Sequence, residues 1–171
     1  MKKYELTDDS ITFMGRKLFR IRAIRSFNDV AVGDLGGYIE KEENLSHDND
    51  AWIYNDARIF GDAHIYGDAR ICDKACVCGD ARVCDNAWIF DDARISGDAD
   101  YLYLKGLGSE NRNTTFFKCE DGHIHVSCGC FSGNLAEFET KVKKTHGDSK
   151  YAKEYLACIE VVKIHFKEEN K

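Results

Sequence analysis

Residues 50–97 read DAWIYN-DARIFG-DAHIYG-DARICD-KACVCG-DARVCD-NAWIFD-DARISG. Every sixth residue is Ala, from Ala51 to Ala93, and two places after each comes Ile or Val. Within a hexad, apolar and polar positions alternate with period two, the mark of a strand with one buried face. Asp, Asn or Gly stands at the hexad junctions, where a turn is needed. A strand and a turn every six residues leave no room for hairpins. The chain must coil instead, laying short parallel strands rung above rung. Ala in the corners and Ile or Val on the flat faces would fill a narrow prism.

This pattern resembles the hexapeptide-repeat left-handed β-helix proteins, a resemblance that implies three hexads per coil. On that geometry Trp52, Arg70 and Trp88 stack in one outward column with Tyr54 and Phe90 beside it, while Arg58 and Arg94 stand on a second face. Short solenoids need their open ends covered, and the flanking segments are the candidates. ITFMGRKLFRIRAIRSF (residues 11–27) alternates around a Met-Gly turn and reads as a β-hairpin. The run FNDVAVGDLGGYIEKEENLSHDNDAWIY (27–54) resembles the N-terminal region of YdcK-like hexapeptide-repeat proteins of bacteria and their phages.

Beyond the repeat the sequence changes character. TTFFKCEDGHIHVSC (114–128) reads as two strands joined at Asp121-Gly122. Asn134 with Glu137 three residues on outlines a capping box for a helix ending near His146-Gly147. A last helix from about Lys150 to Phe166 aligns Tyr155, Ile159 and Val162. This tail resembles a small module at the C-terminus of phage and prophage repeat proteins. The expected fold is therefore mainly β: an N-terminal β-hairpin cap (1–49), a short left-handed parallel β-helix (50–100) and a C-terminal ββαα module (101–171).

The net charge of −6 is concentrated in the repeat, where residues 50–98 hold ten Asp against four Arg and one Lys. Such a surface is ill suited to a nucleic-acid backbone. No apolar run approaches the roughly 18 residues that span a bilayer, and the start lacks the apolar stretch of a signal peptide. The expectation is a cytoplasmic protein of a bacterial host cell, its eight Cys present as thiols.

Hexapeptide acyltransferases use a His general base, and His64 is the only His of the repeat. The hexads run without an extruded loop to wall a pocket, so no catalytic residue is expected. The stretch around Gly108, Ser109, Arg112, Thr114 and Thr115 is the candidate anion site, from glycine amides, hydroxyls and an Arg fork. Cys128-Gly-Cys130 with His123-x-His125 supplies soft ligands at alternating positions of one hairpin, with Cys119 a strand away, and no metal or other cofactor is expected. Cys128 or Cys130 with His146 would make a nucleophile and base, but no spacing brings them together.

What remains is the outward set Trp52, Tyr54, Arg58, Arg70, Trp88, Phe90 and Arg94, which reads as a contact surface. It is expected to be covered by the tail or by another copy in a dimer or trimer. The functional expectation is binding without turnover. The phage setting suggests an inhibitor of a host bacterial protein, with Asp56, Asp62, Asp80 and Asp92 imitating phosphates. The alternatives are an oligomeric sponge for a phosphate-bearing nucleotide and a hexapeptide acyltransferase.

Overall fold

The computed structural model describes residues 1–167. The chain divides into two units, Met1–Asp98 and Ala99–Lys171, the second described as far as Lys167.

The hexads are the rungs of a parallel β-solenoid. Their strands are β4 (Trp52–Ile53), β5 (Arg58–Ile59), β6 (His64–Ile65), β7 (Arg70–Ile71), β8 (Cys76–Val77), β9 (Arg82–Val83), β10 (Trp88–Ile89) and β11 (Arg94–Ile95). Pairing joins every third hexad: Trp52 to Arg70 to Trp88, Arg58 to Cys76 to Arg94, and His64 to Arg82. Backbone N–H groups donate from coil to coil, as from Trp52 to the Ala69 carbonyl at 3.0 Å and from Arg70 to that of Ala87 at 2.9 Å. Every repeat Ala and every Ile or Val two residues on is at most 1% exposed. Full burial of each Ile or Val contributes roughly 1.5–3 kcal/mol.

The corners explain the junction residues. Asn55, Gly61, Gly67, Asp73, Gly79, Asp85 and Asp91, each sixth in its hexad, all take positive φ between 55° and 70°. Gly, Asn and Asp tolerate that backbone best. At Gly79 space decides as well, because a Cβ would lie 2.1 Å from the Ser96 carbonyl oxygen of the next coil.

The N-terminal hairpin forms as the sequence predicts, from β1 (Tyr4–Phe13) and β2 (Arg16–Ala23) around Met14 and Gly15. β2 pairs antiparallel with β3 (Leu35–Ile39), and β3 pairs in parallel with β5 through Tyr38 and Arg58. One solenoid face thereby continues into a six-stranded sheet, β1-β2-β3-β5-β8-β11. Coiling thus starts before the first recognisable hexad, since Leu45 also bridges Ile65 in parallel. Residues 35–49 are an irregular first coil rather than part of a separate cap. The two glycines of its DLGGYIE run are required by proximity: a Cβ on Gly36 would sit 2.7 Å from the Ile53 carbonyl oxygen, and one on Gly37 2.5 Å from that of Ala57.

The second unit is an antiparallel meander of β12 (Tyr101–Leu107), β13 (Arg112–Lys118), β14 (Ile124–Cys128) and β15 (Phe131–Asn134), followed by α1 (Leu135–His146) and α2 (Lys150–His165). Two strands thus flank the hairpin read from the sequence. Tyr101–Leu107 and Arg112–Lys118 pair around a turn at Gly108 and Asn111, so the glycine-rich stretch is a hairpin and not a linker. Asn134 caps α1 by accepting the Glu137 N–H at 2.9 Å, and the Glu137 carboxylate accepts the Asn134 N–H at 3.0 Å. The helices pack on one sheet face, where Phe116, Val126, Phe138, Tyr155, Ile159 and Val162 form the core. No helix among the described residues is long and apolar enough to cross a membrane.

Candidate functional site

The outward column is occupied unevenly. Trp52 is 1% exposed, because the Phe27 and Tyr4 rings meet it edge-on at 5.4 and 6.2 Å between centroids. The Tyr54 hydroxyl donates to Asp29 at 3.0 Å, and Arg70 lies 3.6 Å from the same carboxylate. Burial, then the Asp29 contact, raises the Tyr54 pKa above the usual phenol range. Arg58 covers the Phe13 ring at 4.6 Å. The chain's own N-terminal segment therefore covers the first coil, a role expected of the tail or a second copy. Trp52 is interior packing and not a contact surface. Farther along, Arg94 donates to the carbonyls of Lys74, Asp92 and Ala93. Trp88 is the large apolar group this column leaves outward, 43% exposed, with Phe90 at 5.4 Å and its indole N–H directed at the Cys72 sulfur at 3.4 Å.

In the second unit a cavity of about 300 Å³ opens between the sheet and its helices. Its floor is Phe131, Phe138, Val142 and Tyr155, and its rim carries Arg112, Lys141 and His146. Arg112 leaves the turn at the start of β13 and its guanidinium lies against Gly129, where a Cβ would meet Nη1 at 2.1 Å and push the Arg112 side chain aside. Tyr155 holds the centre, its ring edge-on to Phe138 at 5.6 Å and stacked on His146 at 5.7 Å. Its hydroxyl donates to the Leu107 carbonyl at 3.2 Å, and the Cys128 thiol points at it from 3.7 Å. Burial, then the Cys128 contact, pushes that phenol above its ordinary range, so it works as a fixed donor.

Of the five residues expected to bind an anion, Ser109 and Arg112 line this cavity. The other three are otherwise engaged. The Gly108 N–H donates to the Glu154 carboxylate at 2.7 Å, so an acid already holds that amide. Thr114 is fully buried with its hydroxyl on the Cys128 sulfur at 3.1 Å, and Thr115 is 2% exposed. Their place inside β13, paired on both sides by β12 and β14, is the reason. Lys141 and His146 were missed as rim residues, although α1 sets them on the side that also carries Phe138 and Val142. The cavity also brings Cys128, Cys130 and His146 together, which no sequence spacing indicated.

The first unit has a shallower groove of about 550 Å³ lined by Lys41, Asp62, His64, Tyr66 and Arg82. His64 Nδ1 is 2.6 Å from the Glu43 carbonyl oxygen, and the ring stacks on Tyr66 at 5.3 Å. A carbonyl only accepts, so the Nδ1 of His64 is the donor in this contact. Lys41 pairs with Asp62 at 2.8 Å in the same groove. One further cluster, Cys119 with His123 and His125, gathers at the β13–β14 turn.

Among models of protein families, none matches this chain. The chain is similar to the uncharacterized acetyltransferase YdcK of Escherichia coli (strain K12), at 38% identity over 67 residues, 34% of this chain and 21% of that protein. It thus spans about a fifth of the length of the curated relative it matches. That similarity and the three-hexad coil together describe a hexapeptide-repeat β-solenoid.

Proposed function

We propose that this chain is a binding protein, its C-terminal unit taking a small phosphate-bearing aromatic ligand of the nucleotide class. The observation that carries the reading is the cavity with Arg112 and Lys141 above an aromatic floor. Among the described residues that line it, Glu110 is the one carboxylate. A guanidinium and an ammonium suit phosphate oxygens, while Phe131, Phe138 and Tyr155 suit a flat ring. A volume near 300 Å³ lies at the small end of ligand pockets. The test is a thermal-shift series with mononucleotides, cyclic nucleotides and coenzyme A. A ligand at a hundred times its Kd stabilises the native state by about 2.7 kcal/mol. The expected result is a higher Tm with at least one nucleotide, lost in Arg112→Ala and in Lys141→Ala. No shift with any nucleotide refutes the reading, as does a shift that both variants retain.

Self-association and a host bacterial partner belong to the same reading. The exposed Trp88 with Phe90 is the apolar surface that supports them. Phosphate imitation by the corner aspartates has thinner support, because Asp56 pairs with Arg20 at 3.2 Å and Asp62 with Lys41.

Acyl transfer is the second reading, favoured by the carbonyl-oriented His64 and by the name of the YdcK relative. It requires coenzyme A to bind the first unit and His64→Ala to abolish transfer. Coenzyme A binding that depends on Arg112 and not on the groove would remove it.

A further inference from the structure

We propose that Cys119, His123 and His125 bind a divalent transition-metal ion of the zinc class. One ligand atom from each lies within 4.8 Å of the others. The arrangement follows from strand parity. The Cys119 N–H donates to the His123 carbonyl at 3.0 Å, closing the hairpin, so these two residues face each other across it. His125 is two residues on along β14, and side chains two apart share a face. Cys128 has the opposite parity and lies in the helix-side core, away from the cluster. The site is thus independent of the proposed ligand cavity.

Both imidazoles already have the second partner that metal-bound His residues use to fix their tautomer. Asp121 sits 2.5 Å from His123 Nδ1 and also accepts the His123 N–H at 3.0 Å. Ser132 Oγ lies 2.9 Å from His125 Nε2. This assigns the metal to Nε2 of His123, Nδ1 of His125 and the Cys119 sulfur, which gives up its thiol proton on binding. Bonds of about 2.0–2.3 Å in tetrahedral array place ligand atoms roughly 3.3–3.7 Å apart, a contraction of up to about 1.5 Å from the 4.8 Å limit that rotation of the Cys119 and His123 side chains supplies. Phe117 stacks on His125 at 5.1 Å and holds that ring, while the His123 side chain is 39% exposed and gives the ion a route in. Three protein ligands leave a fourth position for water or an added donor, the open form of a zinc site. Soft sulfur with two imidazoles selects zinc or cobalt over magnesium or calcium.

The test is titration of chelator-stripped full-length protein with Co²⁺, read by absorbance, followed by displacement with Zn²⁺. The expected result is one cobalt per chain with a thiolate-to-cobalt charge-transfer band and intense visible bands of a tetrahedral ion. Cys119→Ser should lose the charge-transfer band. His123→Ala, at an exposed turn where folding is not at stake, should weaken binding at least tenfold, and Asp121→Asn by about 10–100-fold. Absence of the charge-transfer band in the parent protein overturns the proposal. So does the same band in Cys119→Ser, or unchanged cobalt affinity in His123→Ala.

Discussion

Lys3 offers a sharp test of how the open end of the solenoid is closed. Its side chain is fully buried, and Nζ donates to the carbonyls of Ala51 at 2.7 Å and Asn49 at 3.1 Å. Burial lowers its pKa from an ordinary 10.5 to about 8, with Asp50, Asp48 and Asp68 opposing the shift and Arg25 adding to it. Between those two values the unfolded chain holds a proton that the folded chain has released. Stability therefore rises with pH across this interval, and the penalty of the buried charge is fully present below its lower end. At ~1.36 kcal/mol per pH unit the ceiling is about 3 kcal/mol. Screening at the partly buried Asn49 end brings the expected effect to about 1–2 kcal/mol.

Lys3→Met keeps the stem and removes the titration. At neutral pH it also removes the buried charge but leaves two carbonyls without their donor, at roughly 1–3 kcal/mol each. The variant should be destabilised by about 1–2 kcal/mol there, the orphaned acceptors outweighing the relieved charge. The deciding quantity is how the difference changes with pH. Urea unfolding of both proteins in reductant, from about pH 7 to about pH 10, should show the parent gaining about 1–2 kcal/mol over the variant. Cys72 and Cys76, pushed up to about 11 by burial, are present in both proteins and cancel. A difference that stays flat, or falls as pH rises, refutes the reasoning.

Trp52→Ala should lose about 3–5 kcal/mol in urea unfolding and Trp88→Ala less than about 1, although both stand in one column. Equal losses would mean that the N-terminal segment does not pack on the first coil. Gly79→Ala combines a φ of 63° with the clash against Ser96, whereas Gly106→Ala faces a φ of 80° and nothing within 4 Å. The first should be less stable than the second by at least about 1 kcal/mol, and matching melting temperatures would discredit the corner geometry. Asn134→Ala should destabilise the α1 terminus by about 1 kcal/mol, measured by thermal circular dichroism. An unchanged melt would mean the capping box contributes nothing.

The solenoid was legible because two signals recur along it: Ala then Ile or Val inside, and Gly, Asn or Asp at each hexad end, left-handed from Asn55 to Asp91. The β13–β14 hairpin was legible from its Asp-Gly turn, α1 from its capping box and α2 from the stripe of Tyr155, Ile159 and Val162. Coverage of the outer column was not. Trp52 and Trp88 occupy equivalent repeat positions, and the sequence-distant rings of Tyr4 and Phe27 make the first interior while the second stays outward. The irregular first coil was hidden because Tyr38 reaches Arg58 with a spacing two residues longer than the repeat's own. The strand Tyr101–Leu107 and the Cys119 cluster were readable in principle, the first from its alternation and the second from hairpin parity.

The stack has a polarity, and this explains which chemistry closes it. Each coil's N–H groups donate forward to the next coil's carbonyls, as from His64 to Ala81 at 2.9 Å. The beginning of the solenoid is therefore left with carbonyls to satisfy, and its far end with N–H groups. Donors meet the first need. β3 supplies backbone N–H groups from Tyr38 and Glu40 to Ala57 and Ile59, and the Asn44 amide reaches Gly61 at 3.1 Å and Ala63 at 2.8 Å. The Tyr4 hydroxyl lies 2.9 Å from both the Glu42 and Leu45 carbonyls, and Lys3 takes Asn49 and Ala51. At the far end an acceptor appears instead, the Asp98 carboxylate taking the Arg82 N–H at 2.7 Å. A buried ammonium is tolerated at one end because two orphaned carbonyls, at roughly 1–3 kcal/mol each, would outweigh a desolvation penalty of about 1–2 kcal/mol.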